Sequence, residues 1–495
     1  MPINRSYLKV IPNAYYDSVT LMRCSTKLQT IEGIGKVALM MGTPANQVLM
    51  SEQDLWNATE NSAGPTDLCL SMTYQSNDAL QIALKELEAF ISGQDKQRNK
   101  SRDGVTGVQS VSSWKEAGHV LDDPKVAAIS VPGAWASAEA RQALDEGFHV
   151  FLYSDNVTVE EELILKRLAH DRDLIVMGPD CGTALLGGAP LGFINRLSSG
   201  SVGVIAASGT GAQEVSTALD RAGVGVSSIV GIGSRDLSAP IGGISFRTAL
   251  EWLRDDEATT EVAIVAKPPD PDVLKDLLPV LEDYPKPISA LFLGHSGHQQ
   301  SRHMKTVGTI GELISAVGHL EIEIPPTLPL VPPGRFVRGL FVGGTLAIQA
   351  SIVLNIPLVD DRLTPWNEPQ HVLVDLGDDH FTVGRPHPMI DGTARGVAVR
   401  DSLMDPLTGI VLGDIVLGDG AESDPVAHVV LAIEEARTKR DTLPPIVFTV
   451  VGSRHDPQDY DNQVGRLRSL GVWVTETSTA AAQAVGMALG GRSNE

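Results

Sequence analysis

The sequence predicts an α/β protein made of several domains with parallel sheets, and three observations carry that expectation. The chain has 495 residues, enough for about three domains of ordinary size. Apolar residues make up 42% of it, ample for several buried cores. One unit recurs along its length: a short β-branched run ends at Gly, Ser, Thr or Asp, and a helical pattern follows. Lys36–Met41 runs into Gly42-Thr43-Pro44, and Val126–Val131 into Pro132-Gly133. His149–Tyr153 runs into Ser154-Asp155-Asn156, and Leu174–Met177 into Gly178-Pro179-Asp180-Cys181. Val202–Ala206 leads to Ala207-Ser208-Gly209-Thr210-Gly211, Ser228–Ile232 to Gly233-Ser234-Arg235-Asp236, and Val262–Ala266 to Lys267-Pro268. Ile288–Leu293 leads to Gly294-His295, and Leu340–Val342 to Gly343-Gly344-Thr345. Val372–Leu376 leads to Gly377-Asp378-Asp379, Gly409–Leu417 to Gly418-Asp419-Gly420, and Ile446–Val451 to Gly452-Ser453. Continuous apolar strands alternating with helices imply parallel sheets covered on both faces.

Two stretches read as linkers. Residues 92–113 are polar and poor in large apolar side chains, and residues 321–334 are proline-rich and extended in character. They suggest an N-terminal α/β domain over 1–110, further domains over 111–198 and 199–325, and a C-terminal domain over 335–495.

Charge narrows the partners. Lys plus Arg total 39 against 61 Asp plus Glu, a formal net charge of −22. That surplus disfavours nucleic acid and anionic membrane surfaces, both of which need a basic footprint. No apolar run approaches the roughly 18 residues of a membrane span. The first residues have no apolar signal region. Cys24, Cys69 and Cys181 are the only cysteines and are widely spaced, which fits a reducing cytoplasm and excludes a disulfide framework.

In parallel sheets ligands bind beyond the carboxyl ends of the strands, near helix N-termini. The tip Ser208-Gly209-Thr210-Gly211 follows a buried strand and opens the helical pattern AQEVSTALDRA. Its glycines allow close backbone approach, first-turn N–H groups point outward, and the macrodipole favours an anion. It is neither a Walker A loop nor GxGxxG. Ser208 or Thr210 as a simple helix cap accounts for the spacing equally well. Gly418-Asp419-Gly420 is a second such tip, followed by Glu422 and Asp424. Those acids could cap a helix themselves or hold a magnesium ion beside a phosphate. The third cluster spans Asp375 to Asp391. Asp378, Asp379, His380, Arg385, His387 and Asp391 crowd one loop, and Arg385 and His387 are fixed around Pro386 and Pro388. Arg385 suits bidentate grip of a carboxylate or phosphate, and His387 suits proton transfer. His295 and His298 at a strand end read as turn or capping histidines ahead of a phosphorylatable histidine, and Cys181 as a buried or backbone-adjacent thiol ahead of a nucleophile, since no basic partner is nearby in sequence.

Resemblance to a known family enters at these residues. Val131–Ala136, Val157–Glu162 and Gly178–Gly182 resemble the end of the CoA-binding domain of the succinyl-CoA synthetase α subunit. Gly203–Thr210 and Gly231–Asp236 resemble that subunit's second domain. Residues from about 372 onward resemble the C-terminal domain of the β subunit, whose ATP-grasp domain has no counterpart here. With Met40–Asn46 and Asp375–Asp391 included, the whole chain is similar to the FdrA family. The resemblance implies Rossmann-like and flavodoxin-like domains in a succinyl-CoA synthetase-like arrangement. In that arrangement two helix N-termini face each other across a phosphate. The synthetase's glycine-rich loop for the CoA phosphate has no clear match.

The function expected from this resemblance is that of a carbamoyltransferase subunit. The reaction is oxalurate plus phosphate giving oxamate and carbamoyl phosphate, or its reverse, in allantoin breakdown. Backbone N–H groups of Ser208, Gly209, Thr210 and Gly211, facing Gly418, Asp419 and Gly420, would neutralise the phosphate. Arg385 would hold the substrate carboxylate and His387 would move protons, with Asp378, Asp379, Asn156 and Cys181 as further substrate contacts. No metal ligand is assigned, magnesium being only weighed. The alternatives are an acyl-CoA synthetase that uses CoA and ATP, and a non-catalytic scaffold or CoA-sensing subunit. Expected partners are phosphate or carbamoyl phosphate, a small acidic substrate and companion protein subunits of an oligomer, with no nucleic acid and no membrane.

Overall fold

The structure is a computed structural model that describes residues 5–12, 14, 16, 18–52, 55–56, 63–64, 67–104, 111–295, 301, 303–359, 369–382 and 386–490. The chain divides into two compact units, Met1–Val111 with Thr382–Pro386, and Ser112–Phe381 with His387–Glu495.

The first unit runs β1 (Arg5–Ile11), α1 (Ser18–Gln29), β2 (Ile34–Met41), α2 (Pro44–Glu52), β3 (Leu68–Tyr74) and α3 (Asn77–Gly104). Its sheet has the order β1-β3-β2, and both pairings are antiparallel. The parallel arrangement expected from Lys36–Met41 is therefore not the one formed here. An apolar run reports burial on both faces and says nothing of strand direction. Leu68, Leu70 and Met72 face Leu21, Cys24 and Leu28 of α1 and Leu80, Ala83 and Leu87 of α3. The opposite face is covered by Met50, Leu55 and Trp56, which pack on Ala38 and Cys69.

The second unit opens with α4 (Trp114–Val120), β4 (Val126–Ile129), α5 (Gly133–Asp145), β5 (His149–Leu152), α6 (Val159–His170) and β6 (Val176–Met177). These three strands form a parallel sheet in the order β4-β5-β6. Thr158 and Glu161 make a reciprocal capping box at the start of α6, which explains why the helix begins there.

A seven-stranded sheet follows. Its elements are β7 (Thr183–Leu186), β8 (Ala189–Gly192), β9 (Ser199–Ala206), α7 (Gly209–Arg221), β10 (Val226–Gly231), α8 (Ile244–Asp255), β11 (Glu261–Ala266), α9 (Pro271–Glu282), β12 (Ile288–Phe292), β13 (Met304–Val307) and α10 (Ile310–Gly318). The order is β13-β12-β11-β9-β10-β7-β8. The first five strands are parallel, and the β7–β8 hairpin adds on antiparallel through Leu185 opposite Ile229. Residues 183–192 thus share a sheet with the segment that follows them.

The last sheet comprises β14 (Phe336–Phe341), α11 (Gly344–Leu354), β15 (Val372–Asp375), α12 (Asp379–Thr382), α13 (Thr393–Met404), β16 (Thr408–Val416), α14 (Ala427–Lys439), β17 (Ile446–Val451), α15 (Tyr460–Ser469), β18 (Trp473–Thr475) and α16 (Ser478–Ala488). It is fully parallel, in the order β15-β14-β16-β17-β18. Every residue of β16 is buried, as a central parallel strand requires. Among the described residues no helix is long and apolar enough to cross a membrane.

In both larger sheets the strand order reverses beside the first parallel strand. β9 lies between β10 and β11, and β14 lies between β15 and β16. Connections leave these strands toward opposite faces, and in such sheets ligands bind at the carboxyl ends of the strands there. Ser208 stands at one such end and Gly343 at the other.

Candidate functional site

The helix starts that follow β9 and β14 meet. Ser208 caps α7 in an extended conformation, and its Oγ accepts a hydrogen bond from Gly211 N at 3.0 Å. The same Oγ shares a very short hydrogen bond with Thr345 Oγ1 in the first turn of α11. A Cβ added at Gly343 would stand 3.0 Å from Thr210 Cβ, so the two first turns touch. α11 has Gly343 at its cap and no side-chain cap. Asp414 of β16 instead takes the Val342 and Gly343 N–H groups, at 2.6 and 2.8 Å. The N–H groups of Gly209, Thr210, Gly344 and Thr345 find no acceptor among the described residues. Two helix N-termini with free amides at one place favour a shared anion.

Asp375 ends β15 beside the start of α11. A Cβ at Gly344 would lie 2.6 Å from its Oδ2, so a larger residue there would have to displace the carboxylate. Its Oδ1 accepts from Gly377 N at 2.9 Å. Burial pushes the Asp375 carboxyl up to about 7 against that hydrogen bond, with Asp414 and Asp378 adding in the same direction and Lys267 opposing. Burial likewise lifts Asp414 to about 6. The Asp375 carboxyl is therefore raised toward neutrality beside the start of α11. The native state keeps a proton on Asp375 between its ordinary value near 4 and about 7, where the unfolded chain has released it. Its contribution to stability therefore falls as pH rises through that window. Asp375→Asn is expected to be more stable than the parent by about 1–3 kcal/mol at pH 8 and to show little gain at pH 4, in paired denaturation curves.

His387 lies behind the cleft. Its Nδ1 accepts from Met389 N at 3.2 Å, and its Nε2 would be 2.5 Å from a Cβ on Gly377. Burial, with the Arg395 guanidinium second, pushes His387 down to about 4. It is thus a neutral imidazole at pH 7 with its proton on Nε2. Arg395 is itself fully buried and donates to Pro425 O.

Further contacts hold α7 against the last sheet. Glu214 of α7 accepts from Ser478 N at 2.6 Å and from Ser478 Oγ at 2.8 Å at the start of α16, and burial raises its carboxyl to about 7. Asn195 donates to Leu417 O and to Asp456, at 2.9 and 2.7 Å, and accepts from Gln213. These contacts lock α7 onto the last sheet.

Several expectations need correction. Gly418-Asp419-Gly420 is not a helix N-terminus, since α14 begins only at Ala427. Its amides are already used, Gly418 N by Gln458 Oε1 and Asp419 N by Ile194 O, and Asp419 pairs with Arg196. The helix start that does meet Ser208–Gly211 is Gly343–Thr345, a tip of the same kind in sequence. Cys181 is fully buried, bonded to Thr183 O, and burial pushes its thiol up to about 12, so it is no substrate contact. Asn156 is exposed at φ 59° in the loop before α6, packed over Gly133 at the start of α5. Asp378 is exposed on the turn after β15, and Asp379 begins the short α12. Arg385 and His298 lie outside the described residues. The acids around Gly420 diverge: Asp424 pairs with Arg466, while Glu422 joins Asp391 and His428 in a group whose donor atoms lie within 4.8 Å of one another.

Comparison with known proteins completes the site. Residues 340–488 match the family described as CoA-ligase, and residues 4–106 match "AllF, heavy metal-associated domain". Over 165 residues the chain is 31% identical to malate–CoA ligase subunit alpha of Methylorubrum extorquens, covering 32% of this chain and 52% of that one. Over 143 residues it is 28% identical to succinate–CoA ligase subunit alpha 1 of Archaeoglobus fulgidus, covering 28% of this chain and 48% of that one. A solved structure, the apo form of a dinucleotide-forming acetyl-coenzyme A synthetase 1 of Ca. Korarchaeum cryptofilum, aligns over 78% of this chain and 86% of its own. It does so with a TM-score of 0.35 and 17% identity. In sequence the chain is thus CoA-ligase-like over residues 340–488 and acyl-CoA synthetase-like in class. Over 500 residues it is 33% identical to the uncharacterized protein YahF of Escherichia coli K12, covering 94% of this chain and 95% of that one. The chain belongs to the FdrA-like family that includes YahF.

Proposed function

We propose that this protein is an acid–thiol ligase-type subunit that exchanges an acyl group between CoA and phosphate, with the phosphate held between α7 and α11. The observation that supports the reading is the contact of Ser208 with Thr345, which sets the serine-capped start of α7 against the start of α11, where no side chain caps the helix. A phosphate oxygen attacks the thioester carbonyl, the C–S bond breaks, and CoA leaves as the thiol while an acyl phosphate forms. Amides of Gly209, Thr210, Gly344 and Thr345 would neutralise the phosphate as preorganised donors. Asp375, titrating near neutrality, would take and return the proton. Nucleotide chemistry would fall to a companion subunit. The test is the half-reaction: the purified chain, an acyl-CoA and phosphate, with hydroxylamine trapping the acyl phosphate and free thiol measured. Hydroxamate and thiol appearing together at equal rates are expected, and neither appearing with any short acyl-CoA would end the reading.

A second reading uses the same cleft without a thiol. Carbamoyl phosphate would transfer its carbamoyl group to a small amide such as oxamate, releasing phosphate. It is favoured by one observation: β4-β5-β6 is a sheet of only three strands among the described residues, smaller than the two sheets that frame α7 and α11. Phosphate release from carbamoyl phosphate that depends on oxamate, with no activity toward acyl-CoA, would select it.

A further inference from the structure

We infer that the first unit carries no cysteine-bound heavy metal, although it matches a family described as heavy metal-associated. A thiolate site requires at least two soft donors converging on one ion, each about 2.3 Å from it. Residues 1–111 contain two cysteines, Cys24 and Cys69, and no histidine. The sheet keeps the two thiols apart. β3 is its central strand, and side chains alternate along it. Leu68, Leu70 and Met72 point to the face covered by α1 and α3, where Cys24 is packed. Cys69 points to the other face, against Ala38, Met50 and Trp56. The backbone of the sheet therefore stands between the sulfurs.

Each thiol is a core residue, 2% exposed at Cys24 and 0% at Cys69. Burial pushes both up to about 11, which opposes the thiolate that a metal needs. The softest alternative lies on the Cys69 side. Met40 is its direct cross-strand neighbour and Met50 packs beside it. Thioethers with one thiol suit only copper(I), so copper(I) is the stringent probe.

The experiment uses the full chain, reduced and oxygen-free, incubated separately with zinc(II) and copper(I) and then desalted. Cys24→Ala and Cys69→Ala chains are treated alongside. The expected result is the same retained metal in all three chains. Metal that vanishes instead with His428→Ala would come from Asp391, Glu422 and His428 and would agree with the inference. Retention lost in either cysteine variant would overturn it. Because a core variant can unfold, thiol reactivity of the parent chain is measured as well. Cys24 and Cys69 are expected to react only on denaturation, at rates unchanged by either metal. A metal-protected thiol in the native chain would equally overturn the inference.

Discussion

Ser208→Asp is expected to weaken phosphate binding and the half-reaction at least 100-fold while leaving the fold intact. Aspartate is as good an N-cap as serine, so Gly211 N keeps an acceptor and α7 keeps its start. Thr345 Oγ1 can donate to the new carboxylate. The change is therefore almost purely one of charge. A carboxylate now occupies the place where the free amides of both helix starts would meet an anion, and like charges in a low-dielectric crevice repel strongly. Removing a single preorganised donor from such a site typically costs 10²–10³ in rate, and supplying a competing anion should cost no less. Phosphate titration by calorimetry reads the binding, and the melting temperature reads the fold. Ser208→Ala provides the contrast, because it loses the cap at a cost of about 1 kcal/mol but adds no charge. Unchanged phosphate affinity in Ser208→Asp would remove the cleft between α7 and α11 from consideration.

Lys166→Met is expected to destabilise the second unit by about 3–5 kcal/mol. Lys166 is 1% exposed in α6, and its Nζ lies 2.7 Å from Asp236 Oδ1 and 2.9 Å from Glu162 Oε1. It also donates to Ile232 O at 3.0 Å. Asp236 in turn accepts from Ser245 and Phe246 N at the start of α8, and Arg235 pairs with Glu162 at 2.9 Å. This network ties the three-stranded layer to the seven-stranded one. Methionine has nearly the same length and packs well, so little of the loss would be cavity. The cost arises because two buried carboxylates lose their shared cation, and Arg235 is too exposed to replace it. Urea denaturation compares the midpoints. Lys166→Met with Asp236→Asn and Glu162→Gln should recover much of the loss, because the unpaired charges are then gone.

How much of this site was legible depends on which signal each residue carries. The Ser208–Gly211 tip stands out in sequence because two glycines and two hydroxyls directly precede a helical pattern. Gly343-Gly344-Thr345 carries a similar but shorter signal, and nothing local distinguishes it from a dozen other strand ends. Gly418-Asp419-Gly420 has the richer composition, yet six residues of turn separate it from α14. Asp375 and Asp414 are unremarkable acids at strand positions. Their titration near neutrality comes from burial beside α11, which no spacing reveals. Cys181 and His387 were visible as residue types, but their burial decides their chemistry. The thiol becomes a core atom and the imidazole stays neutral.

By itself the amino-acid sequence determined the strand–tip–helix repetition, hence the doubly covered parallel sheets of the second unit, and the glycine tip that begins α7. Periodicity and local turn chemistry act over a few residues, and they are written directly in residue order. Only the tertiary structure decided that β9 and β14 are the strands where the sheets reverse, that α7 meets α11, and that the first unit's strands pair antiparallel. Those outcomes depend on which buried faces fit each other across more than a hundred residues. That choice belongs to packing, hydrogen bonding and desolvation summed over the whole unit rather than to any segment within it.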